Sequence, residues 1–194
     1  LISLVASTLT GYGATRFNFR GKNTFLSFIL MTQMFPSIML LVPFYKILSV
    51  YGLNNSLVGL CIVYVSFTIP FCSWMMVGYF RTIPTEIDES AAIDGASHLQ
   101  TFWKIALPLV KPGLVSSAIY AFITCWNEYM FAAILLVNDK LKTAAVAIAE
   151  MNGYYKIAWN DMMAASLVAS VPLIIAFVFM QKSFISGLTA GAVK

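Results

Sequence analysis

An all-α fold, a polytopic bundle of membrane-spanning helices, is what this sequence predicts, and three observations predict it. Of the 194 residues, 60% are hydrophobic and only 10% charged, against roughly 25% charged for a domain that must cover itself in water. The mean hydropathy of +0.82 suits a chain whose main solvent is lipid. The charges also stand between long apolar runs, each near the ~20 residues that carry a helix across a ~30 Å hydrocarbon core. A single transmembrane domain over 1–194 follows.

The elements fall in order. The stretch 1–15 is apolar but too short to cross alone, and reads as the end of a longer helix that begins before Leu1; it lacks the basic leader and cleavage site of a signal peptide. No charge lies between Lys22 and Lys46, which gives a span over 24–45. None lies between Lys46 and Arg81, which gives a turn at 51–55 and a span over 56–80. Glu128 is the single charge from Gly113 to Asn138, within a span over 113–137, and a last span covers 162–182. Pro36, Pro43, Pro70 and Pro172 predict kinks inside these spans. Ala165, Ser166, Ala169 and Ser170 give the last span a small-residue packing face.

Orientation follows from the lysines and arginines. Arg16, Arg20, Lys22, Arg81, Lys104, Lys111, Lys182 and Lys194 fall on one side, and Lys46, Lys140, Lys142 and Lys156 on the other. Eight against four makes the loop 81–112 and the C-terminus cytoplasmic and leaves the loop 138–161 outside. The basic residues are scattered and form no stripe, so the pI near 9.0 does not indicate nucleic acid. Cys61, Cys72 and Cys125 lie in apolar runs without metal or redox spacing, and read as small buried side chains.

The cytoplasmic loop holds the densest local signals. Thr85 is expected to cap a first helix, with Glu86, Asp88 and Glu89 in its first turns, at the positive end of the dipole. Gly95 stops that helix. Ser97 and Gln100 have the spacing of a capping box that opens a second helix, which runs to about Ala106 before Pro108 and Pro112 end it. Leu99, Phe102, Trp103, Ile105 and Ala106 recur at helical spacing. Such a stripe buries itself either against the chain's own membrane helices or in a groove on a partner.

This stretch resembles the EAA loop of ATP-binding-cassette importer permeases: EAA, three residues, Gly, nine residues, Ile, one residue, Leu-Pro. Here it reads Glu89-Ser90-Ala91, then 92–94, Gly95, nine residues, Ile105, Ala106 and Leu107-Pro108. Ser90 is the one departure, small for small. The resemblance implies a permease fold of the MetI-like type whose loop is a coupling helix seated in a cleft of a separate ATPase dimer. Glu89, Ser90, Ala91, Asp94 and Gly95 would then form the seat and its corner. Leu99, Phe102 and Ile105 would add the stripe, and Leu107-Pro108 the exit toward the membrane.

TQMFP at 32–36, WNEYM at 126–130 and SGLTAGAVK at 186–194 resemble carbohydrate-importer permeases of the maltose-system type. Such permeases usually have six helices, so one helix and part of the next would precede this sequence. The resemblance implies a bacterial inner-membrane subunit, paired with a second permease and served by an extracytoplasmic sugar-binding protein. ATP and Mg would belong to the ATPase, with no cofactor and no metal on this chain. Gly153, Tyr154 and Tyr155 in the outer loop would contact the binding protein; the alternative is an aromatic belt at the membrane interface. Glu128, with Trp126 and Asn127, either lines a sugar path or anchors a helix by hydrogen bonds.

An enzyme of the membrane is disfavoured, because one histidine and the absence of GxSxG or HExxH supply no catalytic constellation. A secondary transporter or channel is expected to place more than one ionisable group in its spans. Importers of peptides, polyamines or phosphate share the coupling loop and remain the alternative to sugar.

Overall fold

The computed structural model describes residues 1–153 and 158–192, with side chains described through Phe179 and at Gln181. Tyr154, Tyr155, Lys156 and Lys194 lie outside the described residues. The named elements are helices throughout: α1 (Ile2–Arg16), α2 (Lys22–Thr32), a 3₁₀ turn (Ser37–Leu40), α3 (Leu41–Val50), α4 (Leu57–Arg81), α5 (Thr85–Ile93) and α6 (His98–Thr101). A five-residue π turn (Phe102–Ala106) leads into α7 (Leu107–Leu109), α8 (Lys111–Trp126) and α9 (Met130–Leu135). A 3₁₀ turn (Asp139–Leu141), α10 (Ala144–Glu150) and α11 (Trp159–Ala192) complete the order.

Two helical stretches, Leu57–Arg81 and Trp159–Phe179, are each long and apolar enough to cross a membrane, and up to four spans result if each bent pair counts as one. The breaks are where sequence and structure part. The expected span 24–45 divides after Thr32 and resumes beyond Pro36, because a proline keeps the residue before it, here Phe35, out of the helical region. Pro43 lies in the first turn of α3, where its missing N–H is not needed. Pro70 and Pro172 sit inside helices that continue past them. The expected span 113–137 ends at Trp126 and restarts at Met130. The loop 138–161 carries α10, which the apolar-run reading did not anticipate.

The chain divides into two compact units. The first comprises Leu1–Met34, Thr68–Ala121 and Met180–Lys194. In it α1 turns Ser3, Ser7, Gly11 and Ala14 inward, a small-residue face that lets helix backbones come close. Ser3 and Thr68 share a hydroxyl hydrogen bond of 2.6 Å. A Cβ on Gly11 would stand 2.8 Å from the Met76 Cβ, so α1 and α4 touch there with no room for a side chain. A Cβ on Gly113 would overlap the Tyr79 ring. Tyr12, Met76, Phe80, Ile83, Phe102, Ala106 and Val110 form the core beside this contact.

The second unit comprises Phe35–Phe67 and Phe122–Phe179. Its core joins Leu48, Leu60 and Val63 to Phe131, Leu135 and Val146. Phe44, Phe67 and Phe131 meet in a three-ring cluster with centroids 5.1–6.0 Å apart. Asn55 adopts a positive φ of 55°. Its N–H donates to the Leu135 carbonyl at 2.8 Å, and its Oδ1 accepts the N–H groups of Val137 and Asn138. One asparagine thereby fastens the α3–α4 turn to the end of α9.

Candidate functional site

The loop between α4 and α8 is built from local hydrogen-bonding chemistry. Pro84, not Thr85, occupies the N-cap position of α5, and no side chain caps it. A proline held at φ −57°, ψ 142° supplies the extended entry itself, and Thr85 becomes the first helical residue. Glu86 and Asp88 fall in the first turn, near the unpaired N–H groups. At the other end Gly95 N–H donates to the Ala92 carbonyl at 3.0 Å and Ala96 N–H to the Ala91 carbonyl at 2.9 Å. This is a Schellman closure, with Gly95 at φ 80°. The space around Gly95 is open, so glycine is required there by conformation and not by crowding.

Ser97 then starts the second helix as expected: Gln100 N–H donates to Ser97 Oγ at 3.3 Å, and Ser97 N–H to Gln100 Oε1 at 2.8 Å. That helix does not end at the prolines. It widens into a π turn, with Leu107 N–H bonded to the Phe102 carbonyl, and runs on through Pro108 to Leu109. The wide turn lies just before Pro108, whose ring cannot accept the carbonyl four residues back in a regular α-helix. Pro112 sits in the first turn of α8, where proline is tolerated.

The stripe divides between the chain's interior and its surface. Phe102 is 4% exposed and Ala106 2%, and Phe102 meets Tyr12 at a ring distance of 4.9 Å. Ala91 is also buried, while Ile105 and Leu107 are half-buried. Ile93 and Leu99 are 86% and 68% exposed, and Glu89, Ser90, Asp94, Gly95 and Pro108 stand exposed with them. Of the ten residues assigned to coupling, Ala91 and Phe102 therefore belong to the interior. Ser90 returns its hydroxyl to the Glu86 carbonyl at 2.8 Å, so the departure from alanine leaves the helix whole.

Sequence reasoning missed what α1 contributes. Arg16 Nε lies 2.7 Å from Asp88 Oδ2, with side-chain exposures of 7% and 21%. Arg16 Nη2 also donates to the Ile83 carbonyl at 3.1 Å. Tyr12 donates its hydroxyl to the His98 carbonyl at 3.4 Å, and Phe17 packs edge-on against the His98 ring. The pair is covered on the Arg16 side and partly open on the Asp88 side. The available signal was periodicity: Asp88 shares a helix face with buried Ala91, an odd place for an unpaired acid.

In the second unit, Glu128 closes the break between α8 and α9. Its Oε1 accepts the Phe131 N–H at 2.8 Å, and its Oε2 accepts the Ala132 N–H at 3.1 Å and the Tyr64 hydroxyl at 2.9 Å. These acceptors serve the first N–H groups of α9, which favours the anchor over the sugar path. Trp126 donates its indole N–H to the Ala169 carbonyl at 3.1 Å. It borders an apolar cleft of about 420 Å³ with Ala144, Ile148, Met151, Val168 and Pro172. Asn127 is exposed, and no hydrogen bond joins its side chain to Glu128 or Trp126. Gly153 is exposed in the loop 138–161. Lys142 braces that loop through Asp139 at 2.6 Å and Glu150 at 2.7 Å.

The sequence pattern of the family described as binding-protein-dependent transport system inner membrane component matches residues 3–189. The chain belongs to this family. As a binding-protein-dependent transport component, it is 38% identical to the trehalose/maltose transport system permease protein MalG of Thermococcus litoralis, over all of this chain and 70% of that one. It is also 38% identical to the maltodextrin transport system permease protein MdxG of Bacillus subtilis, with the same coverage. Among solved structures, a bacterial ABC transporter that imports the acidic polysaccharide alginate superposes with a TM-score of 0.77 at 25% identity, over 94% of this chain and 71% of that one. The MetNI methionine ABC transporter shares the fold with a TM-score of 0.68 at 18% identity, over 95% and 92% of the chains.

Proposed function

We propose that this inner-membrane component is a permease subunit of a sugar importer. It forms a translocation path with a second permease and is driven by an ATPase dimer docked on the loop 84–112. The observation that carries the reading is the Gly95 corner. Two helices meet there and hold Ile93 and Leu99 in the open, as Trp103 is, while Phe102 and Ala106 of the stripe are buried within the chain. A partner cleft is what such paired apolar knobs fit. Glu89, Ser90, Asp94 and Gly95 edge the knobs, and Ala91 and Phe102 support them from inside. ATP and Mg are held by the ATPase, and its closure moves the loop and alternates access to the path. A sugar-binding protein meets the outer loop around Gly153, Tyr154 and Tyr155.

The charge count over the loops supports placing 84–112 on the cytoplasmic side of the membrane. The names of the relatives, trehalose/maltose and maltodextrin permeases, support carbohydrate as the substrate class. The test is to substitute Ile93→Asp and Leu99→Asp together and purify the tagged chain from membranes with its assembly. The ATPase is expected to be lost while the second permease stays. Retention of the ATPase at the wild-type ratio removes the loop as its seat.

A further inference from the structure

We propose that Arg16 and Asp88 are the positioning link that makes α1 move as one body with the coupling loop, a proposal that rests on reading this loop as the ATPase seat. Arg16 is at the last turn of α1 and Asp88 in the first turn of α5, far apart in sequence and 2.7 Å apart in space. The guanidinium is held from two sides, since Nη2 also donates to the Ile83 carbonyl on the approach to α5. Both side chains are largely covered, so water offers a poor substitute for either partner. One turn earlier Tyr12 reaches the second helix of the loop, at the His98 carbonyl and the Phe102 ring.

The end of α1 thus grips the loop on both sides of the Gly95 corner, once by charge and once by an aromatic ring. The two attachments are not equivalent. The Tyr12 contact adds to a core that already joins α4 to Phe102 and Ala106. The ion pair is a charged contact between α1 and α5, and Ile87 of α5 also packs against the core that holds Tyr12. Force on the seat therefore reaches α1 from α5 by a directional charged contact, Asp88 to Arg16, in addition to the apolar packing of Ile87.

The test uses the assembled importer with spin labels at Gly13→Cys, where an added side chain meets open space, and at exposed Thr85→Cys. Spin–spin distances are read without nucleotide and after trapping with ATP and vanadate. With Arg16 and Asp88 intact, one narrow distribution is expected, unchanged by trapping. Arg16→Gln and the isosteric Asp88→Asn should each broaden it and make it shift on trapping, whereas Arg16→Lys, which keeps the charge, holds it narrow. The double variant should be no worse than either single one, since each alone removes the same interaction. Single variants that stay narrow and unshifted overturn the link, and so do effects that add in the double variant. Failure of the ATPase reading is a separate result: the unsubstituted complex would then lack its ATPase. The comparison of variants without nucleotide still decides the link in that case.

Discussion

Glu128 is the residue on which the second unit turns, because its two oxygens serve three donors at once. Glu128→Ala leaves the Phe131 and Ala132 N–H groups without that acceptor, a cost of about 1–3 kcal/mol, and should lower thermal stability in detergent. Glu128→Gln keeps one acceptor oxygen and should fall between, with uptake close to wild type; a Gln variant that is stable but inactive would restore the pathway role. Gly95 is the matching residue of the loop. Gly95→Ala puts a Cβ at φ 80°, a strain of about 1–2 kcal/mol. Binding-protein-stimulated ATP hydrolysis should drop while the chain still reaches the membrane, and an unchanged rate would detach the corner from coupling. In the loop 138–161 Lys142 holds the Asp139 carboxyl below its ordinary 3.8 by hydrogen bond and charge. Asp139 and Glu150, each by hydrogen bond, raise Lys142 above its ordinary 10.5. The Asp139 contribution is present above pH 3.8 and fades as pH falls through its lowered value. The Lys142 contribution is full below pH 10.5 and fades as pH rises through its raised value, so the brace spans the neutral range. Carboxyl titration by NMR should move Asp139 back toward 3.8 in Lys142→Met, and an unmoved midpoint refutes the brace.

At the scale of elements, local chemistry was legible and long-range chemistry was not. The Gly95 closure and the Ser97–Gln100 box each depend on residues within a few positions, so their spacing alone announces them. The four-span count rests on run length; the second bent pair joins His98–Leu109 to Lys111–Trp126 and does not cover the expected 113–137. The breaks are another matter. The gap after Trp126 is stabilised by Tyr64 reaching Glu128 from α4, a contact that no window on 113–137 contains. The π turn before Pro108 inserts extra winding, so regular periodicity cannot tell that Phe102 faces inward while Trp103 is left outside. The Arg16–Asp88 pair escaped for the same reason as Tyr64: each half looks like an ordinary helix-end charge until the fold joins them.

Across the whole molecule, the apolar outer surface of α11 is the feature that demands company. None of the most apolar window within Trp159–Phe179 is buried inside the chain, so lipid or another subunit must cover it. Reconstituted with its partners, the importer should take up radiolabelled malto-oligosaccharide and not methionine; the reverse preference moves the chain to another solute class. Deletion of 151–156 should abolish stimulation by the binding protein, and persistence of stimulation would release the loop 138–161 from that role. The closures on both sides of Gly95 carry a further consequence for assembly. Each cap satisfies backbone groups that would otherwise wait for a partner, so the loop is already ordered before anything docks. Little conformational entropy is then left to lose on encounter. Capture of the ATPase should accordingly behave as rigid-body association, with permease and ATPase free to mature separately and meet late.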